Sequence, residues 1–269
     1  MNAQRRRGPK ERGRKGRRIA RATSAVDAPP FITRKIPVYE LASEELLALV
    51  EENTEIVLEE IGIDFRDDPR ALQLFRDAGA LVEEERVRFP RGMCREIIQR
   101  SAPNEFTQHA RNSDRSVQIG GDHAVFVPAY GPPFVRDLDS GRRYATIEDF
   151  KNFTKLTWMS PALHHSGGTL CEPVDVPVNK RHLDMIYSHL RWSDKPFMGS
   201  VTAPERAQDT VDMAEIVFGR SFVDSHCVIT SLINANSPMT FDATMLGAAR
   251  VYAQHNQATV ISPFILAGA

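Results

Sequence analysis

The sequence predicts an α/β fold: a TIM-type β/α barrel, cut after about five βα units and preceded by a helical N-terminal cap. Three observations predict it. From residue 124 onward, apolar runs alternate with amphipathic ones at a spacing of about 30 residues, the period of a strand–helix–strand unit. Each apolar run ends in small or polar residues, as strands do where they meet the loops of a barrel mouth. The ladder then stops at its fifth strand, 259-TVISPFILAGA-269, whereas eight such units need roughly 250 residues. The chain is therefore expected to be the front part of a larger enzyme, inactive and aggregation-prone by itself because its last strand leaves an apolar edge unpaired.

The elements follow in order. Residues 1–30 are rich in Arg, Gly and Pro without apolar periodicity, and are expected to form a disordered basic tail. Residues 31–103 form the cap. Its first helix spans 43–61, with Ser43 as N-cap and Leu46, Leu49, Val50, Ile56, Val57 and Ile61 near helical spacing, and Gly62 ends it. Asp68-Pro69 opens a second helix through Ala78, closed by Gly79. The run Val87–Pro90 reads as a strand before a third helix, 91–101. The barrel part, 104–269, begins with β-like residues 117–119 and hairpin turns at Gly120-Gly121 and Asp139-Ser140-Gly141. The ladder itself has strands at 124–129, 162–170, 197–201, 226–233 and from 259, with helices at 147–158 (capped by Thr146), 178–192, 204–218 and 239–255.

Composition narrows the function classes. A hydrophobic fraction of 42% and a charged fraction of 26% are those of an ordinary soluble globular chain. Residues 1–22 carry ten Lys/Arg against one acid, Glu11, leaving a body with 24 basic and 34 acidic side chains. That body is acidic and has no basic stripe, which argues against specific nucleic-acid binding. Cys94, Cys171 and Cys227 are odd in number and form no CxxC pair, which fits a reducing, cytoplasmic setting. No run of 18 apolar residues exists to span a membrane, and no apolar segment follows the N-terminal arginines as in a secretory signal.

Polar residues at the strand ends are the candidate site. The first strand offers Tyr130; the second His164, His165, Ser166, Thr169 and Glu172; the third Ser200, Thr202 and Glu205; the fourth Asn234, Asn236 and Ser237. Thr202 could instead cap the helix opened by Pro204, and one of the fourth group could cap the helix opened by Pro238. The run HHSGGTLCE invites a metal reading, with His164, His165, Cys171 and Glu172 as ligands. Adjacent histidines on a strand point to opposite faces, however, and neither HxH nor HExxH occurs, so no metal is expected. A GxSxG elbow and the GxGxxG and GxxxxGK phosphate loops are also missing.

The segments SGGTLCEPVDVP, SVTAPERAQD and NANSPMTFDATMLGAARVYAQHNQATVISPFILAGA together resemble the trimethylamine methyltransferase family, over roughly residues 30–269. The resemblance implies a β/α barrel. It also implies transfer of a methyl group from a tertiary or quaternary amine to Co(I) of a corrinoid (cobalamin) that a separate corrinoid protein supplies, with no cofactor bound directly by this chain. The substrate-binding residues expected on that basis are Tyr130, His164, Thr169, Glu172, Thr202, Glu205, Asn234, Asn236 and Ser237. An aromatic face would hold the cation, and Glu172, in preference to Glu205, would balance its charge. Family members acting on trimethylamine carry a pyrrolysine and this sequence shows none, which favours a glycine betaine-like quaternary amine. A homo-oligomer is expected. The alternative is a non-catalytic barrel that binds a quaternary amine or scaffolds a corrinoid protein.

Overall fold

The structure is a computed structural model that describes residues 29–236 and 238–263. The basic tail expected over 1–30 lies, but for its last two residues, outside the described residues, as do Ser237 and residues 264–269.

Strand β1 (Ile32–Thr33) leads to helix α1 (Glu44–Ile56), whose Ser43 cap accepts a hydrogen bond from the Leu46 amide at 3.2 Å. The expected single helix over 43–61 instead changes pitch: Val57–Ile61 forms a π-helical turn that Gly62 ends at φ 77°. None of the residues of α1 is buried, despite their apolar spacing. Next come β2 (Ile63–Arg66), α2 (Pro69–Ala78), the antiparallel pair β3 (Leu81–Glu83) and β4 (Arg86–Arg88), and α3 (Met93–Ser101). Asp68 caps α2 through the Ala71 amide, Pro69 fills its first position, and Gly79 closes it in the left-handed conformation at φ 97°. Phe65, Leu72, Ala80, Val87 and Phe89 form the core of this region. The cap is thus helix plus sheet rather than helix alone.

Strands β5 (Glu105–Gln108), β6 (Val117–Gly120) and β7 (His123–Ala124) pair antiparallel, with β1 on the β7 edge. The turn between β6 and β7 uses Gly120 and Gly121, both at positive φ. A second hairpin, β8 (Phe134–Asp137) with β9 (Gly141–Tyr144), precedes α4 (Ile147–Met159). The order then runs α5 (Arg181–Trp192), β10 (Phe197–Met198), α6 (Pro204–Phe218), α7 (Arg220–Ser225), β11 (Ile229–Ala235), β12 (Thr240–Asp242), α8 (Ala243–Gln254) and β13 (Ala258–Pro263). Strands β10, β11 and β13 pair in parallel, in that order.

The described residues therefore form a mixed α/β protein with several sheets and eight α-helices, and contain no closed barrel. The first two expected ladder strands are corrected. Residues 124–129 are not a barrel strand: regular pairing ends at Ala124, within the antiparallel sheet. Residues 162–170 are not a regular strand either, because Gly167 takes φ 86° and breaks the pleat. Both segments nonetheless run alongside the parallel sheet. The His164 amide donates to the Phe126 carbonyl at 3.0 Å and Gly131 to Thr169 at 2.7 Å; on the other side Ser166 donates to Pro196 and Met198 to Gly167, each at 2.8 Å. Five extended segments thus follow one another in the order the sequence predicts, three of them as regular strands. The third strand is shorter than 197–201, and the helix expected from 178 begins at Arg181.

The fourth unit is corrected too. Pro238 does not open a helix. Met239 has φ 46°, β12 intervenes, and α8 starts only after Asp242, whose carboxylate caps the Met245 amide at 2.9 Å. Strand β12 pairs in parallel with β2, giving the sheet order β12-β2-β4-β3, so the loop after β11 grips the N-terminal region. The fully buried core of the ladder comprises Ile186, Phe197, Val211, Val223, Val228, Ile229, Ile233 and Tyr252 among its larger side chains.

Polar staples close the lower, N-terminal ends of the strands. Gln108 donates to the carbonyls of Phe197 (2.9 Å) and Val228 (3.2 Å) and accepts from His165 Nε2 at 3.1 Å. Gln257 accepts from the Val228 and Ile229 amides and donates to Val223, His226 and His255 carbonyls. Lys195 donates from Nζ to the carbonyls of Thr157, Ser160 and Leu163, ending α4 where the helix leaves carbonyls unpaired. Every bond of this kind removes the cost of burying a backbone group alone.

Candidate functional site

The upper, C-terminal ends of the first three extended segments enclose a cavity of about 30 Å³. Tyr130 closes the first segment, Gly168 and Thr169 the second, and Met198 to Thr202 the third; α5 supplies His182, Met185, Ile186 and His189. Glycine is required at one point in this wall: a Cβ at residue 168 would lie 2.5 Å from the Tyr130 ring and 3.0 Å from Met198. Gly168 therefore lets the Tyr130 ring lie against the segment beside it.

Four of the strand-end candidates, Tyr130, Thr169, Ser200 and Thr202, line the cavity. Tyr130 is partly exposed, and its phenol is held above the ordinary value, chiefly by desolvation, against a lowering hydrogen bond with Thr169 and with a further rise from Glu172. Thr202 is not a cap. The N-cap of α6 is Ala203, which offers no side-chain bond, while the Thr202 hydroxyl accepts from Arg206 at 2.9 Å and lies 3.5 Å from the Ser200 hydroxyl.

The remaining expected residues stand elsewhere. His164 is buried lower in the second segment: its Nδ1 accepts from the Phe126 amide at 2.9 Å and its ring stacks on Phe126, with centroids 5.6 Å apart. Desolvation, followed by the Lys195 charge, lowers its pKa. Glu172 is engaged by Arg181, which also donates to the Val176 carbonyl. Glu205 is exposed in the first turn of α6, where a carboxylate favours the helix dipole. Asn234 is the penultimate residue of β11, opposite Ser262 of β13, and Asn236 is exposed and donates to Asp242 at 2.9 Å. Ser237 lies outside the described residues.

The rival nucleophile and ligand candidates are held in structural roles. His165 donates from Nε2 to Gln108 and accepts at Nδ1 from the Gly167 amide (2.9 Å), and burial pushes its pKa down to about 3. Burial pushes the Cys171 thiol up to about 12, with Asp149 and Glu172 adding to it. One further group of potential ligands, Glu215, Asp224 and His255, has its donor atoms within 4.8 Å of one another. It lies at the opposite end of the strands from the cavity.

Two histidines missed in the sequence reading dominate the cavity. His189 donates from Nε2 to the Gly168 carbonyl (2.8 Å) and therefore accepts at Nδ1 from the Ser166 hydroxyl (2.7 Å). Desolvation pushes it down to about 4, opposed by the Gly168 bond, so the ring is neutral. His182 donates from Nε2 to Asp209 Oδ2 at 2.7 Å, and its Nδ1 is buried without a partner. The signal was legible: His182, Ile186 and His189 are spaced i, i+4, i+7, so they share one face of α5.

Two comparisons bear on this geometry. The family model for trimethylamine methyltransferase (MTTB) matches residues 10–269. The chain is 45% identical over 234 residues to the glycine betaine methyltransferase of Desulfitobacterium hafniense (strain Y51), covering 87% of this chain and 48% of that protein. The chain thus spans about half the length of that relative.

Proposed function

Because this chain belongs to the trimethylamine methyltransferase family, we propose that it moves a methyl group from a quaternary amine of the glycine betaine type to Co(I) of a corrinoid carried by a separate protein. The observation that carries this reading is the cavity at the upper ends of parallel segments, walled by Tyr130 and buried helix side chains, in a chain of this family. The five segments in sequential order are also what the first part of a β/α barrel would look like, with its site at that end.

The reduced cobalt would supply the nucleophile. The amine nitrogen keeps the electron pair of the broken N–CH₃ bond, and cobalt supplies the pair for the new one, so no further redox partner is needed. The work left to this chain is to hold the cation, aim one methyl group outward and exclude water. Tyr130 offers an aromatic face, worth about 0.5–2 kcal/mol to a cation depending on its desolvation. Thr169 and Gly168 fix that ring in place. His165 and His189 are withheld from nucleophilic and metal chemistry by burial and by their own hydrogen bonds, and Cys171 by burial and the nearby carboxylates. Asn234 and Asn236 remain candidates for the part of the mouth beyond the cavity.

The test mixes the protein with a reduced corrinoid protein and candidate amines after exhaustive chelation. Methyl-cobalt should appear by absorbance with glycine betaine. Tyr130→Leu should weaken amine binding about three- to thirtyfold, the loss of ~0.7–2 kcal/mol, whereas Tyr130→Phe keeps the ring and most of the affinity. Binding of betaine without any methyl-cobalt would favour a non-catalytic binding barrel. Activity lost on chelation and restored by zinc would overturn the metal-free mechanism.

A further inference from the structure

We propose that Tyr252 of α8 is a positioning residue for the cavity: through its hydroxyl it holds the Ser200 peptide, and with it the wall from Met198 to Thr202, at the separation from Tyr130 that a trimethylammonium group needs. This rests on the methyl-transfer reading, and it names a residue that does not itself line the cavity as the one that sets its width. Three observations carry it. The first is the bond itself. The Tyr252 side chain is fully buried, and its hydroxyl donates to the Ser200 carbonyl at 2.6 Å. Desolvation holds the phenol well above its ordinary value, so it stays a donor.

The second observation is what takes over from the sheet. Strand β10 pairs regularly with β11 only through Met198, and the Gly199 amide adds one more bond, to the Thr230 carbonyl at 2.8 Å. Past that point side chains from two helices replace the ladder. The Ser200 amide donates to the Thr210 hydroxyl of α6 at 3.3 Å, and the Ser200 carbonyl accepts from Tyr252 of α8. One residue is thus clamped on both sides of its backbone, and it stands in the middle of the wall, since residues 198–202 all line the cavity. A ring packed on every side has no room to turn, so its hydroxyl fixes the carbonyl in place.

The third observation is the glycine that makes room. A Cβ at residue 199 would collide with the Tyr252 hydroxyl and lie 2.9 Å from Ile229 Cγ2, so the phenol reaches Ser200 only because residue 199 has no side chain. The other side of the wall is as tight, with Gly168 fitted between the Tyr130 ring and Met198. The two glycines and the phenol together set how far the third segment stands from the aromatic face. Misplacing such a wall by about 1 Å can cost on the order of 10²-fold in a reaction that depends on orientation.

The experiment compares the full chain with Tyr252→Phe, which keeps the ring and deletes only the hydroxyl. Calorimetry measures binding of glycine betaine and of its bulkier N,N,N-triethyl analogue, and urea unfolding measures stability. The wild-type chain should prefer betaine by at least about tenfold. Tyr252→Phe should lower betaine affinity about tenfold and leave that of the analogue within about threefold, so that the preference falls at least about threefold. A hydroxyl that only supports the core would shift the urea midpoint and leave the preference unmoved, and that result overturns the proposal. Thr210→Val deletes the hydroxyl on the amide side of Ser200 and should loosen the same preference. The double variant should fall little further than the poorer single one, because both act on one residue's backbone. Should Tyr252→Phe not fold, Thr210→Val decides instead, and an unmoved preference there overturns the proposal. A wild-type chain that forms methyl-cobalt, with a preference that neither variant moves, overturns the positioning role alone. A wild-type chain that binds no betaine and forms no methyl-cobalt overturns both readings.

Discussion

Gln257 shows how much one side chain can hold. Its carbonyl accepts from the Val228 and Ile229 amides, and its amide donates to the carbonyls of Val223, His226 and His255, joining the end of α7, the start of β11 and the turn before β13. Leucine has nearly the same volume, so Gln257→Leu would preserve packing and strand five buried or half-buried backbone groups. The expected loss is at least about 3 kcal/mol, measured by denaturant unfolding, because each unsatisfied group costs ~1–3 kcal/mol and only some can rotate to new partners. A change under about 1 kcal/mol would show that water reaches this corner. The sequence marks Gln257 as an ordinary polar residue after a helix; only its position between three elements makes it a staple.

At the scale of an element, α4 is held by chemistry the sequence does display. The Thr146 hydroxyl accepts from the Asp149 amide (3.3 Å), Asp149 accepts from the Thr146 amide (2.8 Å), and Arg143 clamps the same carboxylate through two nitrogens at 2.6 and 2.8 Å. The Arg143 bonds come first among the causes that hold the Asp149 carboxyl far below its usual range. Asp149→Ala should destabilise the protein by about 2 kcal/mol, combining a lost cap with a lost charge-assisted pair, and the loss should shrink as pH falls below ~4, where the unfolded-state aspartate protonates and the wild-type advantage fades. A pH-independent difference would mean that the carboxylate charge is not what matters. Helix α1 makes the opposite point. Its apolar spacing predicts a helix and a helix forms, yet Leu46, Leu47, Leu49 and Val50 remain exposed. Periodicity specifies the helix; it does not specify what covers it.

For the whole molecule, the coupling between regions is polar as much as apolar. Arg250 of α8 reaches Asp68 at 2.6 Å, where the carboxylate also caps α2, so the N-terminal region and the ladder share a partly buried ion pair besides the β12–β2 pairing. Two buried neutral histidines set the acid limit of this assembly. His165 and His189 are pushed down to about 3 and about 4, mainly by desolvation. In the unfolded chain both protonate near ~6.5, so below that pH the unfolded state binds more protons and stability falls with falling pH until the folded values are reached. Up to ~1.4 kcal/mol per pH unit per histidine gives a loss on the order of 4 kcal/mol between pH 6.5 and 5. Urea midpoints collected from pH 7 to pH 5 should drop steadily. A flat profile would mean that one or both rings are hydrated and titrate normally.

What the sequence determined by itself is local and periodic. Ser43, Asp68 and Thr146 cap the helices they were expected to cap, α6 spans the expected 204–218, and the five extended segments come in the expected order, because caps and apolar spacing act within a few residues along the chain. The family, too, was legible from the strand-end segments and is borne out by the match over residues 10–269. Tertiary structure decided the rest. Gly167 turned an apolar run into an irregular segment through one positive φ, and Met239 with β12 delayed α8 past Pro238 so that the loop could pair with a strand more than 170 residues away. Tertiary structure also chose among the polar residues. Tyr130, Thr169 and Thr202 came together, His164 was taken by Phe126 and Glu172 by Arg181, and His182 arrived from a helix face that strand-end reasoning did not search. A side chain's chemistry is written in the sequence, but whether it is spent on a neighbour or left facing a cavity depends on partners that only folding brings within 3 Å.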